Sequence, residues 1–361
     1  MEFYPLKISK IQRETETALS VYFTVPEELK EKFKFLPGQY LTLSDVIKNK
    51  EIRRPYSICT APHSGELAVT VKKLKGGLFS EWVHKSWREG MLKNIGVPQG
   101  NFKVDCNIDA KRKHVFLAAG SGITPIMSMI AELLESEPLS SCYLLYGSKD
   151  EDSIIFKNQL DHLNKRYENQ LFVRYTLTKP QKDNKSLLSN LFKKPKLQWT
   201  GDIGRIDTNK LKQYIDENRL KNKDTLYYVC GPGDMIRMAE STLLAEGVDS
   251  SRILKEYFAP TGSVSAQPGT NGKVTVVLNS KTIEYESDGK KTILEELINL
   301  GEKPPYSCTS GACSTCMAKV NKGKVSMDVC YALDEEEIKA GYILTCQAHV
   351  TSDELEISYD L

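Results

Sequence analysis

The sequence predicts a multidomain protein in three parts: a small antiparallel β-barrel, a doubly wound parallel α/β domain and a compact α+β unit. Three observations predict it. At 361 residues the chain is longer than one ordinary core supports. After Asn107 the texture changes from short strand-like runs to strands alternating with helices. A stretch without charge, 261–272 (TGSVSAQPGTNG), then separates a third pattern beginning at Lys273. The expected boundaries are therefore 1–107, 108–260, a linker over 261–272, and 273–361.

In the first part, apolar runs at 18–24, 40–43 and 67–71 are punctuated by Pro37-Gly38, Pro62, Gly76-Gly77 and Pro98, which suits an antiparallel barrel. The second part reads as strand 114–119, helix 125–136, strand 142–146, helix 153–167, strand 171–177, helix 209–218, strand 226–230 and helix 235–246. Regular alternation of this kind makes a parallel, doubly wound sheet. The third part opens as a hairpin (KVTVVLNSKTIEYES), followed by a helix at 292–300, a Cys-rich loop and strands at 316–320 and 343–349.

Composition narrows the class of function. Hydrophobic content of 40% with 27% charged residues is that of a water-soluble globular chain, and a net charge of +2 argues against nucleic-acid or membrane-surface binding. The apolar run 115–134 contains Gly-Ser-Gly and Thr-Pro at its centre, so a strand, turn and helix explain it better than a membrane span. The charged N-terminus lacks the apolar run of a signal peptide, and a cytoplasmic location is expected. Charge is unevenly divided: from Gly272 onward nine lysines face ten glutamates and five aspartates, a net of −6 that leaves +8 for the rest. An acidic module of this kind is either simply solvated or suited to docking on a basic surface, its own reductase part or an external acceptor.

Nine cysteines, an odd number with three inside nine residues, argue against a disulfide framework and for a metal centre. Cys308, Cys313 and Cys316 follow C-x4-C-x2-C, and Cys346 lies further on. This is the spacing of a [2Fe–2S] centre, which needs two thiolates per iron and a tight loop of small residues around Gly311. Structural zinc is the competing reading, but zinc favours paired knuckles and Cys346 stands alone. Cys330 falls outside the spacing and is expected as a buried thiol. The phrases PYSCTSGACSTCMAKV and YILTCQA resemble a plant-type ferredoxin domain, whose fold is an α+β β-grasp.

Two motifs mark the first part. In Arg54-Pro55-Tyr56-Ser57 the guanidinium can pair a pyrophosphate, the ring can stack on a flavin and the hydroxyl can reach its reactive nitrogen. An ordinary strand edge is the alternative. Next, Lys72 precedes Gly76-Gly77, and Phe79 and Ser80 open a helix whose first N–H groups can bind phosphate. In the second part Gly120-Ser121-Gly122 leads through Thr124-Pro125 into a helix, allowing close approach to a dinucleotide pyrophosphate. Together these resemble the ferredoxin–NADP⁺ reductase superfamily.

That resemblance implies FAD on the barrel and a nicotinamide beside Cys230-Gly231-Pro232, with Met235 following. It also implies an acid near the nicotinamide and an aromatic over the flavin, for which Glu256 and Phe258 are the candidates. Cys230, Glu256 and Ser57 would then serve hydride transfer. For the nucleotide, Ser148, Lys149, Thr178, Lys179 and Arg205 could meet a 2′-phosphate, which favours NADPH, with NADH the alternative. None of the five histidines has a spacing partner.

A ferredoxin that trails the reductase resembles the electron-transfer components of multicomponent oxygenases. Tyr331-Ala332-Leu333 and the stretch from Gly341 to Gln347 are most similar to the phenylacetyl-CoA epoxidase reductases, ahead of the ketosteroid 9α-hydroxylase reductases. The implied function is transfer of electrons from NAD(P)H through FAD and [2Fe–2S] to an oxygenase partner. A stand-alone flavin or quinone reductase, the reductase of a Rieske-type oxygenase, and a zinc-binding interaction protein are the rival readings.

Overall fold

Alternation along the early strands decides which side of the first sheet is inside. Val69 and Val71 face the barrel core with Leu6, Ile8, Leu41 and Leu43, while Ala68, Thr70 and Lys72 face the other way. This computed structural model describes residues 2–181, 199–258, 269–333 and 335–360. Six antiparallel strands form the sheet, in the order Lys50–Ser57, Tyr40–Ile47, Leu92–Gly96, Phe3–Thr15, Ala18–Thr24, Leu67–Lys72. An Ile58–Val69 bridge joins the two outer strands and closes the barrel. The helix Leu78–Ser86 follows the last of them.

The second sheet is wholly parallel, ordered Asp202–Ile203, Leu171–Leu177, Ser141–Ser148, Lys113–Ala119, Thr225–Cys230, Ile253–Glu256. Helices Ile123–Ser136 and Lys157–Arg166 cover one face; Thr208–Glu217 and Gly233–Ala245 cover the other. The expected doubly wound domain is therefore found. Its strand order reverses between Lys113–Ala119 and Thr225–Cys230, which puts the ligand crevice of such sheets beside Gly120 and Cys230. The helix expected over 153–167 begins only at Lys157. Ile154, Ile155 and Phe156 are spent on core burial, and Phe156 takes a left-handed φ of 62° that no continuing helix allows.

Below this sheet a buried carboxylate fastens the connection from the barrel. Burial alone would raise Glu137, yet hydrogen bonds from His114, Arg112 and Ser140 hold it down, at about 2. Its Oε1 also accepts the Asn107 N–H at 3.0 Å, so the domain junction is pinned there. His114 is structural, as its isolation in sequence suggested.

The third part is a mixed five-stranded sheet, Lys281–Ser287, Gly272–Leu278, Glu354–Ser358, Met317–Lys322, Tyr342–Leu344, with a two-stranded ribbon of Val325–Met327 and Ala348–Val350. The helix Ile293–Asn299 starts from a capping box in which Thr292 and Glu295 bond each other's backbone, and it buries Ile293, Leu294 and Leu297. The single strand expected over 343–349 is two strands. Thr345, Cys346 and Gln347 form the turn between them, closed by Gln347 N–H to Leu344 C=O at 2.9 Å. Cys346 thus comes from a turn rather than a strand. Most of the linker expected over 261–272 lies outside the described residues; Thr270 already donates to Val350 of the third domain at 2.7 Å.

Candidate functional site

The barrel, the nicotinamide-type sheet and the Cys-rich loop meet around one cavity of about 510 Å³. Its wall includes Arg54, Pro55, Tyr56 and Ser57 from the closing strand, Lys72 and Gly77 to Ser80, and Ser121 and Thr124 from the glycine turn. Glu256 and Phe258 join from the end of the parallel sheet, and Cys308, Ala312 and Cys313 from the loop. Motifs scattered over some 260 positions of sequence are thereby brought together.

A flavin dinucleotide fits this lining. The Tyr56 ring is fixed by stacking on Phe79, centroids 6.0 Å apart, and Phe79 is held in turn against Trp87. The helix opening at Leu78 has no side-chain cap, so its first N–H groups remain for a pyrophosphate. Gly76 adopts φ 77°, turning the chain into that helix, and its N–H bonds the Glu81 carboxylate at 2.9 Å. Ser80 Oγ takes the Leu74 N–H at 3.1 Å and shapes the turn. Lys72 carries its ammonium toward Gly120, and burial lowers its pKa, with Asp150 opposing the shift.

At the reversal point Gly122 is required by space. A Cβ there would lie 2.1 Å from the Cys230 carbonyl oxygen and 2.8 Å from the Gly231 nitrogen. Thr124 Oγ1 donates to Ser121 C=O at 3.0 Å, and Pro125 is buried behind the turn as the helix starts. Pro232 caps the helix that begins at Gly233, and Met235 packs over Gly231. Cys230 is fully buried, which pushes its thiol well up, and it pairs in register with Glu256 on the neighbouring strand. Desolvation pushes the Glu256 carboxyl up to about 8, against a hydrogen bond from Ser57 Oγ at 3.2 Å. Burial thus favours the protonated form of Glu256, a hydroxyl-bonded acid on the wall of the cavity.

The cations lie elsewhere, along the carboxyl edge of the sheet. Ser148 and Lys149 end one strand, Thr178 and Lys179 the next, with N–H bonds from Thr178 to Ser148 and from Lys179 to Lys149. Arg205 follows the edge strand and is exposed. Lys149 pairs with Asp150 at 3.3 Å, so the nearest acid is already engaged.

The four thiols of the spacing motif gather beneath this loop, each no more than 6% exposed. Among the described residues no three His, Cys, Asp or Glu side chains are arranged to hold a single metal ion. They fall instead into two neighbouring clusters, Cys308 with Cys313 and Cys316 with Cys346, a grouping that suits two irons with two thiolates each. The Ser310 N–H reaches Cys308 Sγ at 3.4 Å, the backbone-to-sulfur contact such a centre needs. Gly311, at φ 70°, would drive a Cβ to 2.8 Å from the Val329 carbonyl oxygen. Cys330 is half-buried and packs beside Cys316 and Cys346.

Sequence reasoning missed the residues that appose the domains. Tyr40 packs on Cys308 and Cys313, and its hydroxyl bonds Thr315 Oγ1 at 2.8 Å. Thr42 bonds Ser307 at 2.8 Å, both fully or nearly fully buried. Tyr257 stacks on Tyr331 at 4.8 Å, and Arg53 lies over the Tyr306 ring at 4.4 Å. Single hydroxyls and rings carry no spacing signal; the one clue was Thr42, a polar residue in an otherwise apolar run.

Comparison with known proteins agrees with this division of labour. Residues 5–104 match an oxidoreductase FAD-binding domain, 116–241 an oxidoreductase NAD-binding domain, and 276–351 a 2Fe-2S iron-sulfur cluster binding domain. The chain is 34% identical to one of the subunits of 1,2-phenylacetyl-CoA epoxidase from Escherichia coli K12, over 99% of this chain and 98% of that one. It is 30% identical to the ferredoxin reductase component of 3-ketosteroid-9-alpha-monooxygenase from Rhodococcus rhodochrous, over 98% and 96%. Phthalate dioxygenase reductase has the same fold, with a TM-score of 0.59 at 21% identity over 99% and 98% of the two chains. The chain belongs to the family of oxidoreductases that join an FAD-binding barrel and an NAD-binding domain to a C-terminal 2Fe-2S domain.

Proposed function

We propose that this chain is the NADPH-oxidising reductase of a multicomponent oxygenase, with phenylacetyl-CoA epoxidase its best-supported partner. The observation that carries the reading is the single cavity whose wall holds the flavin motif, Glu256 and two cluster thiols. Flavin supplies the conversion of one hydride into two single electrons, which neither a nicotinamide nor an iron–sulfur cluster can perform. Arg54 and the N-terminus of Leu78–Ser86 bind the pyrophosphate, and Tyr56 and Phe258 bracket the ring. Ser57 and Glu256 orient the reacting edge, and Cys230 closes the nicotinamide pocket against water. Cys308, Cys313, Cys316 and Cys346 hold the cluster. Lys149, Lys179 and Arg205, with Ser148 and Thr178, receive the 2′-phosphate. The five free thiols outside the cluster support placement in the reducing cytoplasm.

Replacing Cys346 by Ser tests the order of carriers. Electron delivery to purified phenylacetyl-CoA epoxidase is lost, while NADPH oxidation with a small dye persists in the FAD-loaded protein. Loss of both activities from a folded, flavin-replete variant reverses the order. An intact protein that reduces dyes but never supports the epoxidase retires that partner, and higher kcat/KM with NADH retires NADPH.

A further inference from the structure

A chain of hydroxyls leaves the same cavity by a route the reading above does not use. Ser20 and Thr70 face each other across the strands Ala18–Thr24 and Leu67–Lys72, with oxygens 2.8 Å apart. Ser20 is wholly buried and Thr70 is 3% exposed. Both stand on the outer side of the barrel, where Ala18 and Ala68 pack against the core of the parallel-sheet domain. Thr70 lines the cavity beside Tyr56 and Ser57. Ser20 Oγ donates onward to Glu14 Oε1 at 2.7 Å. Glu14 is half-buried, and its other oxygen accepts Gln159 Nε2 at 3.0 Å from the helix Lys157–Arg166. Two branches leave the chain: Thr70 Oγ1 can also donate to Cys59 Sγ at 3.3 Å, and Glu14 Oε1 also accepts Gln12 Nε2 at 3.1 Å.

Packing alone does not ask for these groups. Their neighbours in the seam are Ala18, Ala68 and Cys59, and small apolar side chains would fill the space without the desolvation that two buried hydroxyls incur. The proposed chemistry does ask for a path. Taking hydride from NAD(P)H breaks a C–H bond and removes a proton with two electrons. Both electrons leave singly through the cluster to the protein acceptor, which carries no proton away, so one proton per nucleotide must pass from the cavity to water. Glu256 is a poor resting acceptor, because its burial favours the protonated form.

We propose that Thr70, Ser20 and Glu14 form a proton exit from the flavin cavity along the interface of the first two domains, an inference that rests on the reductase reading. With the Thr70 O–H turned from Cys59 Sγ toward Ser20, each hydroxyl passes a proton to the next oxygen, and the half-buried carboxylate returns it to solvent.

Ser20→Ala cuts the chain without touching the cavity wall, and Glu14→Gln removes its terminal acceptor. Anaerobic stopped-flow in weak buffer, with a pH-indicator dye, NADPH and cytochrome c as one-electron acceptor, follows proton release and electron delivery together. In the wild type the two run in step. In both variants proton release lags electron delivery at least tenfold, while flavin reduction by NADPH keeps its rate. A lower melting temperature with no lag in either variant overturns the proposal and leaves a structural role only. Should Ser20→Ala fail to fold, Glu14→Gln at the interface edge decides alone. A wild-type protein that cannot pass electrons from NADPH to cytochrome c sinks the reductase reading instead.

Discussion

Adding one methyl group at Gly122 tests whether the reversal point of the parallel sheet is a fitted site. Its backbone is ordinary, with φ −61°, so Ala there suffers no conformational strain. The obstacle is space: the new Cβ would sit 2.1 Å from the Cys230 carbonyl oxygen and 2.4 Å from its carbon. Relief to normal contact needs about 1 Å of movement between the glycine turn and the strand end, and backbone atoms cannot swing aside as a side chain can. Overpacking of this kind costs roughly 1–3 kcal/mol, which lowers Tm by roughly 2–12 °C in a domain of this size. The same displacement separates Cys230 from Ser121 and Thr124, and a misplacement of about 1 Å slows an oriented transfer by about 100-fold. Gly65→Ala is the control: φ is 68° and nothing lies within 4 Å, so it costs about 1 kcal/mol of strain and spares the chemistry. Differential scanning fluorimetry and stopped-flow flavin reduction read both quantities. Wild-type hydride transfer in a folded Gly122→Ala protein would refute the reasoning, since the crevice would then tolerate an atom where none fits.

Two further expectations follow from the site. Glu256 keeps its proton in the folded protein up to about 8 but loses it near 4.5 when unfolded, so its own contribution to stability is full below about 4.5 and is lost as pH rises to about 8. Glu256→Gln in flavin-free protein abolishes that slope, at most about 1.4 kcal/mol per pH unit, and a wild-type-minus-variant Tm difference constant from pH 5 to 8 would count against it. Tyr40→Phe with Thr42→Val removes two docking bonds; the second leaves the Ser307 hydroxyl buried at about 1–3 kcal/mol, while Thr315 keeps Gln99, and about 2 kcal/mol already shifts docking by about 30-fold. Flavin-to-cluster transfer should slow in that double variant at all salt concentrations, while reduction of the external acceptor in the wild type should slow with salt; the opposite pattern in rapid-mixing spectra would exclude this account.

What the sequence revealed and what it concealed divide along a physical line. Chemistry that depends on spacing was legible: C-x4-C-x2-C fixes three thiols on one loop, and Gly120-Ser121-Gly122 fixes a turn after a strand. The barrel and the doubly wound sheet were legible from alternation and punctuation, because burial on one face writes a period into the chain. The place where the domains touch was not. Tyr40, Thr42, Ser307 and Thr315 are single side chains whose partners lie more than 260 positions away, so no local pattern marks them. Cys346 sits in a turn because its thiol must meet Cys316, a constraint imposed from across the fold, which overrode the strand-like run YILTCQA. Phe156 likewise cut short a helix because burial of its ring outweighed the local helical preference.

The unequal division of charge gains a meaning from this interface. An acidic third domain and a basic remainder suggest that the two hold each other electrostatically, yet the contacts that line the cluster side of the junction include two hydroxyl pairs, a Thr315–Gln99 hydrogen bond, a tyrosine stack and an arginine over a ring. The ion pairs Lys273–Glu284, Lys281–Glu302 and Lys322–Glu354 all stay within the third domain. Hydroxyl pairs and stacked rings are indifferent to ionic strength and hold the cluster against the cavity whatever the salt, whereas the net −6 of the third domain remains available to steer a basic acceptor. Internal transfer then relies on packing and external transfer on charge, so that a partner can bind and leave without loosening the domain that feeds it.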